Sequence, residues 1–344
     1  MKKLKNKSIL LIAPSFLRYD EEIKACLEKM GATVVMYDER PTTIGLYKVF
    51  NRLRPQLLEP INQRYFQKII EQNKHKDYDF VFVIKGEALS CKSLTRLKSA
   101  FAKSVFVNYI WDSLSNVNGA KAKLELFDRC YSFDYIDCSR TLNLHYKPLF
   151  YINKYSPSTA KPANSSVQSA VFVGSLHSDR YWVVKSICDE LKQRKEDIET
   201  FTYFYFSSSF IFRILKIFLT TFRNIPFKEV HFSPLDAEEN ALKTQAADVV
   251  IDVAHPGQSG LTLRTIETVA MSKKLITTNP SVMNEEFYNS KNICVVDRKN
   301  PTIPREFLQN SYVPLKPSLI EDFNLENWLI AVLGRPRNIN PNQN

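Results

Sequence analysis

Residues His255 to Asn279 read His-Pro-Gly-Gln-Ser-Gly-Leu-Thr-Leu-Arg-Thr-Ile-Glu-Thr-Val-Ala-Met-Ser-Lys-Lys-Leu-Ile-Thr-Thr-Asn. They hold the chain's densest set of groups suited to a charged, hydroxyl-bearing ligand. The pattern is strand end, polar loop, short helix from about Thr262, basic turn and next strand. A helix entered from a loop of small hydroxyl residues such as Ser259 and Thr262 presents free backbone N–H groups and a positive dipole end to an anion. Arg264 can meet phosphate, and Glu267, further along the helix, can accept hydrogen bonds from sugar hydroxyls. The same pattern also describes an ordinary α/β connection with a solvated Glu, so local sequence leaves both readings open.

Further candidates sit where strands end. The run Gly174-Ser-Leu-His-Ser-Asp-Arg180 follows the apolar stretch Ala170–Val173. In the first half of the chain, Pro14-Ser15, Lys85-Gly86-Glu87 and Asp112-Ser113 each follow a predicted strand. Open parallel sheets bind their ligands at these carboxyl ends. Glu87 and Asp112 are carboxylates placed to take a proton from a hydroxyl group, or to cap a loop or pair with a cation. His145, beside Tyr146 and Pro148, reads as a packing residue. Asp77-Tyr-Asp79 spells a metal-binding Asp-x-Asp but precedes its strand, as a solvated strand entry does. Asp134-Tyr-Ile-Asp137 has no third ligand nearby. No Gly-x-Gly-x-x-Gly, phosphate loop or His-Glu-x-x-His is present, which argues against dinucleotide oxidoreductase, NTPase and metalloprotease functions. The expectation is no bound metal and no cofactor.

The elements that must position these groups alternate between apolar runs and helical spacing. Ser8–Ala13, Thr33–Tyr37, Phe80–Ile84, Val105–Ile110 and Cys130–Phe133 read as strands, with helices at Asp20–Met30, Ile61–Gln72, Cys91–Ala102 and Lys121–Phe127. The grammar breaks into Ser, Pro, Lys, Ala and Asn between Ile152 and Gln168 and then restarts. Strands follow at Ala170–Val173, Phe201–Phe206, Asp248–Val253, Leu275–Thr278 and Ile293–Val296, with helices at Tyr181–Arg194, Asp236–Gln245 and Thr262–Met271. The predicted organisation is an α/β chain of two doubly wound, Rossmann-like domains, residues 1–152 and 169–334, with a linker at 153–168 and a disordered tail at 335–344.

The 344 residues carry a formal net charge of +11, which calls for an acidic partner. No nucleic-acid recognition helix or stacking platform accompanies that charge, and the basic start Lys2, Lys3, Lys5 and Lys7 reads as a solvated tail. Six cysteines lack Cys-x-x-Cys spacing and read as reduced thiols in the cytoplasm; the apolar run Ile9–Ala13 is too short for a signal peptide. Phe210–Phe222 fits a basic amphipathic helix. It suits either the surface of an anionic bilayer or a core-facing helix with snorkelling Lys and Arg.

The order of Val81-Phe-Val-Ile-Lys-Gly-Glu87, Asn108-Tyr-Ile-Trp-Asp-Ser113, Phe127-Asp-Arg-Cys-Tyr-Ser-Phe-Asp134, Val171-Phe-Val-Gly-Ser175 and Leu263-Arg-Thr-Ile-Glu267 through Thr278-Asn279 resembles that of GT-B glycosyltransferases. It is closest in style to those of bacterial lipopolysaccharide and capsule biosynthesis. The resemblance implies two Rossmann-like domains facing across a cleft, with a nucleotide-sugar donor on the second. Glu267 matches the family's ribose-binding Glu, whereas Ser259 stands where the pattern has another Glu. Arg180, after Gly174-Ser175, matches a residue that contacts the donor diphosphate, which Arg180 and Arg264 would neutralise in place of a metal. His255, Ser259, Thr262 and Asn279 complete the implied donor site, and Glu87 or Asp112 would serve the acceptor. The implied activity is metal-independent transfer of a sugar to a lipid-linked or growing surface-polysaccharide acceptor, in the cytoplasm or peripheral to the membrane. A nucleotide-sugar epimerase or hydrolase, or an inactive sugar-nucleotide-binding assembly protein, are the alternatives.

Overall fold

The computed structural model describes residues 3–42, 47, 55–117, 119–157, 167–195 and 197–334. Most of the expected linker at 153–168, all of the expected tail at 335–344 and Lys2 of the basic start therefore lie outside the described residues. The chain forms two compact units. The first comprises Met1–Leu149, Gln258–Gly260 and Leu325–Asn344, and the second Phe150–Gly257 and Leu261–Asn324.

The first unit is built on β1 (Ser8–Ala13), β2 (Thr33–Asp38), β3 (Phe80–Ile84), β4 (Val105–Ile110), β5 (Arg129–Ser132) and β6 (Leu144–Tyr146). They form one parallel sheet in the order β2-β1-β3-β4-β5-β6. Its central strands read as continuous apolar runs because helices cover both faces; Ile9–Ile12 and Val81–Ile84 are fully buried. The helix Tyr19–Lys29 stops at Gly31, whose φ of 97° suits glycine. Ser90 caps the helix Cys91–Ala100 by accepting from the Ser93 N–H. The order reverses between β1 and β3, so the loops after these strands diverge there.

The second unit contains β7 (Ser169–Ser175), β8 (Glu199–Tyr205), β9 (Val230–His231), β10 (Val249–Asp252), β11 (Lys274–Thr277) and β12 (Ile293–Val295). Its parallel sheet has the order β12-β11-β10-β7-β8-β9, with the reversal between β7 and β10. Helices Arg180–Arg194, Ala237–Ala246 and Leu263–Ala270 provide crossovers. This is the doubly wound order in which the switch-point crevice receives a nucleotide.

Two features differ from the sequence expectation. The helix Leu325–Leu333 belongs with the first unit rather than with a second domain running to 334. The cause is Trp328, fully buried at 4.6 Å from Tyr109 and 6.3 Å from Phe82 between ring centroids, with its Nε1–H donating to the Pro148 carbonyl. The single helix expected at Phe210–Phe222 is two, Ser209–Phe218 and Thr220–Arg223, because Leu219 is extended at φ −112°, ψ 121°. Asp134 and Asp137 lie at a helix start: Asp134 accepts from the Ile136 and Asp137 N–H groups and caps Tyr135–Ser139. No described helix is long and apolar enough to cross a membrane.

Candidate functional site

At the carboxyl ends of β7 and β10 the second unit gathers two guanidinium and two imidazole groups. Gly174 lacks a side chain where a Cβ would sit 2.9 Å from the Phe172 ring, so it leaves room for that ring, and Arg180 Nη1 lies 3.5 Å from the same point. Arg180 opens its helix and donates from Nη1 to the Ser175 carbonyl at 2.9 Å, while its buried Nε has no hydrogen-bond partner among the described residues. Burial, with help from the charge of Arg298, pushes its pKa down to about 10, against the pull of Asp252 and Asp179. A guanidinium does not lose its proton at neutral pH, so this depression marks a cation poorly compensated by its surroundings.

Arg298, after β12, reaches the same place. It pairs with Asp179 through two bonds of 2.8 and 2.7 Å and donates to the Ala254 carbonyl at 2.9 Å. The His177 and His255 rings lie 5.1 Å apart. Burial first, and then Arg180, His255 and Arg298, push the His177 pKa down to about 3, so this imidazole is neutral at physiological pH. Ser178, between His177 and Asp179, is held at φ 50°, a left-handed conformation costly for a non-glycine residue and common at ligand-binding turns.

The helix after β10 is positioned by Asp252. Its buried carboxylate accepts from the hydroxyls of Thr262 and Thr265, each at 2.9 Å, and Thr262 in turn accepts from the Thr265 N–H as the N-cap. The first turn of Leu263–Ala270 thus opens beside the switch point with its cap chemistry fixed. Within this helix Arg264 and Glu267 approach to 3.4 Å, and Glu267 is only 2% exposed. The guanidinium is turned to the helix Ala237–Ala246, donating to Thr244 at 3.3 Å and Asn240 at 3.4 Å, and Tyr155 packs near both charges.

The structure therefore brings Gly174, Arg180 and His255 together and sets Thr262 at the helix entrance. Arg264, read from sequence as a phosphate ligand, lies beside Glu267, since an i,i+3 spacing places the two side chains on one face, and it also donates to the neighbouring helix. Asn279 is 2% exposed and caps the turn Pro280–Asn284 by accepting from the Ser281 N–H. Ser259 sits in the first unit, where its N–H and hydroxyl both go to Asp134. His177, Asp179, Asp252 and Arg298 were not singled out from sequence. The first two lie inside the quoted Gly174–Arg180 run, whereas Arg298 is brought in only by the sheet order.

The first unit has its own charged cluster at the ends of β2, β3 and β4. Lys85 and Gly86 adopt φ values of 65° and 73°. Lys85 Nζ stands 2.9 Å from Glu87 and 3.3 Å from Asp112, so the two carboxylates picked from sequence share one cation. Asp112 also accepts from Asn116 and Gln258. Glu39, which sequence inspection passed over, is wholly buried and accepts from the Glu87 N–H at 2.8 Å; burial pushes its pKa up to about 7, against the pull of Lys85. Lys123 is buried below the loop, donates to the Gly86 carbonyl at 2.6 Å, and is pushed down to about 8 by burial. His145 lies on β6 beside Tyr131.

No family model and no curated protein sequence matches the chain. Among solved structures, OtsA in its apo state is similar over 96% of this chain and 99% of its own, with a TM-score of 0.59 at 12% identity. The α,α-trehalose 6-phosphate synthase of Burkholderia multivorans is similar over 94% of each chain, with a TM-score of 0.58 at 10% identity. HepE of Anabaena, solved in complex with UDP and glucose, is similar over 94% of this chain and 98% of its own, with a TM-score of 0.54 at 13% identity. The chain has the GT-B fold, two Rossmann-like α/β units in one polypeptide, as the sequence pattern leads one to expect.

Proposed function

We propose that this protein is a glycosyltransferase that takes a sugar from a nucleoside-diphosphate donor held by the second unit. The observation that carries the reading is the convergence of Arg180, Arg298, His177 and His255 on the switch point of a doubly wound sheet, beside the capped start of Leu263–Ala270. Pyrophosphate is the ligand that such a set fits. It brings the charge that Arg180 lacks, accepts from guanidinium and imidazole N–H groups, and meets a helix N-terminus. As the glycosidic bond to the donor breaks, charge accumulates on the leaving diphosphate, and the two guanidiniums stabilise it without a metal ion. Glu267 is the ribose ligand in this reading, held in place by Arg264, which acts as a positioning residue.

In the first unit, Glu87 or Asp112 accepts the proton of the acceptor hydroxyl, with Lys85 fixing both carboxylates. HepE, with UDP and glucose bound, supports the donor class through the shared fold. The acceptor in this reading is a lipid-linked or growing surface glycan at the cytoplasmic face of a membrane.

The test is calorimetric titration of UDP, GDP and dTDP into the wild type and into Arg180→Gln and Arg298→Gln. Loss of a charge-assisted hydrogen bond is worth about 1.5–3 kcal/mol, so each variant should bind its preferred nucleotide roughly 10- to 150-fold more weakly. Equal affinity in wild type and both variants, or no nucleotide binding at all by wild type, would overturn the donor assignment.

A further inference from the structure

The insertion between β8 and β9 carries a helix that is apolar on two sides. At about 100° per residue, Phe212 and Leu215 of Ser209–Phe218 point to one side. Phe212 is fully buried there among Phe206, Phe222, Phe227 and Phe232, with ring centroids 5.6–6.1 Å away. Phe210, Ile211, Ile214, Ile217 and Phe218 fall on a different arc and remain outside the core: Phe210 is 70% exposed, Ile217 68% and Phe218 74%. A helix seated on a core by one face normally turns polar residues to water on the other. This one is firmly anchored and still presents large apolar side chains outward, beside exposed Leu219 and Phe227.

The charges around this face select its partner. From Thr200 to Lys228 the sequence has no Asp or Glu, while Arg213, Lys216, Arg223 and Lys228 are all basic. Arg213 lies over the Phe227 ring at 5.2 Å, and the half-buried Lys216 donates to the Ile225 carbonyl, so cationic groups border the apolar face. Trp182, 40% exposed, donates from Nε1 to the Thr221 carbonyl and adds an amphipathic ring to the rim. Pairing this surface with itself in a second copy would set cations against cations with no carboxylate from the segment to offset them. A bilayer with anionic headgroups supplies both parts: hydrocarbon for the Phe and Ile side chains, and negative charge for the Arg and Lys rim.

We propose that the outward face of Ser209–Phe218, with its basic rim, docks this protein on an anionic membrane surface. The ten-residue helix lies in the interface plane, since it is far too short to span. The docking site deepens the proposed reading by bringing the chain to the kind of surface that carries a lipid-linked acceptor, but it stands on residues separate from the donor site.

The test is flotation of the full chain with vesicles of phosphatidylcholine alone or with about 30% phosphatidylglycerol, at low and high salt. The wild type should float with the anionic vesicles only, and less at high salt. The variants Phe210→Ser/Phe218→Ser and Arg213→Glu/Arg223→Glu change exposed side chains and should each reduce the bound fraction about tenfold or more, with unchanged far-ultraviolet circular dichroism. Flotation that is equal in wild type and both variants, or absent from wild type, overturns the proposal. So does a concentration-dependent dimer that the serine variant abolishes when vesicle binding is absent. Nucleotide titrations on the same variants should match wild type, which separates failure of membrane docking from failure of the donor site.

Discussion

His177 offers a quantitative check on the electrostatics of the second unit. Its pKa falls from the ordinary 6.5 to about 3 because burial and the neighbouring Arg180, His255 and Arg298 disfavour the imidazolium. The native state therefore holds fewer protons than the unfolded chain between these values. The stability present above pH 6.5 is lost as pH falls toward 3. The full window is worth about 5 kcal/mol at 1.36 kcal/mol per pKa unit. At about pH 4.5 the two-state linkage relation gives a loss of about 3 kcal/mol relative to about pH 7.5. His177→Gln replaces the imidazole by a neutral amide that cannot charge. Urea unfolding of wild type and variant at both pH values isolates the residue together with its coupling to His255, because distant titrating groups and any constant packing loss cancel in the difference of differences. The variant should gain about 3 kcal/mol on wild type between pH 7.5 and pH 4.5. A gap unchanged to within about 1 kcal/mol would refute the idea that burial and neighbouring cations keep His177 neutral.

Glu39 should act in the opposite direction. Its pKa rises from 4.5 to about 7 in the folded state, so its contribution is full below pH 4.5 and is lost as pH rises through 7. Glu39→Gln should remove a decline of about 3 kcal/mol across that window in urea unfolding, and a variant with the wild-type slope would count against it. Trp328→Ala should destabilise the first unit by about 3–5 kcal/mol, because a fully buried indole is replaced by a cavity and the Pro148 carbonyl loses its donor. Chemical denaturation checks this, and a loss below about 1 kcal/mol would show that the C-terminal helix is dispensable to that core.

The strands legible in the sequence are those buried on both faces. Ile9–Ile12, Val81–Ile84 and Val249–Ile251 are unbroken apolar runs because helices cover each side of their sheets. Leu144–Tyr146 and Val230–His231 escaped notice since three- and two-residue strands carry no period and exist only through β5 and β8 beside them. Leu325–Leu333 was placed by chain order with the second domain, whereas its core partners Phe82 and Tyr109 lie more than two hundred residues upstream. The site divides similarly. The Gly174–Arg180 loop and the Thr262 cap announce themselves by local residue type, but Arg298 joins them from 118 positions beyond Arg180 through the order of β7, β10 and β12. Nothing in local spacing reports such a meeting.

The titration directions in the two clusters bear on what each unit holds. In the second unit, the Arg298 hydrogen bonds depress Asp179, burial and neighbouring cations depress His177, and burial with Arg298 depresses Arg180. Burial is the first cause at His177 and Arg180, where Asp252 and Asp179 pull the guanidinium the other way, whereas at Asp179 the paired Arg298 outweighs burial, which alone would have raised the carboxylate. In the first unit Lys85 is raised: burial works against it, but Glu87, Asp112 and Glu39 outweigh burial. There the environment is negative. In the proposed reading, a diphosphate at the second unit's switch point would supply the compensation that Arg180 loses by burial, while Lys85 holds Glu87 and Asp112 where an acceptor hydroxyl would give up its proton in the first.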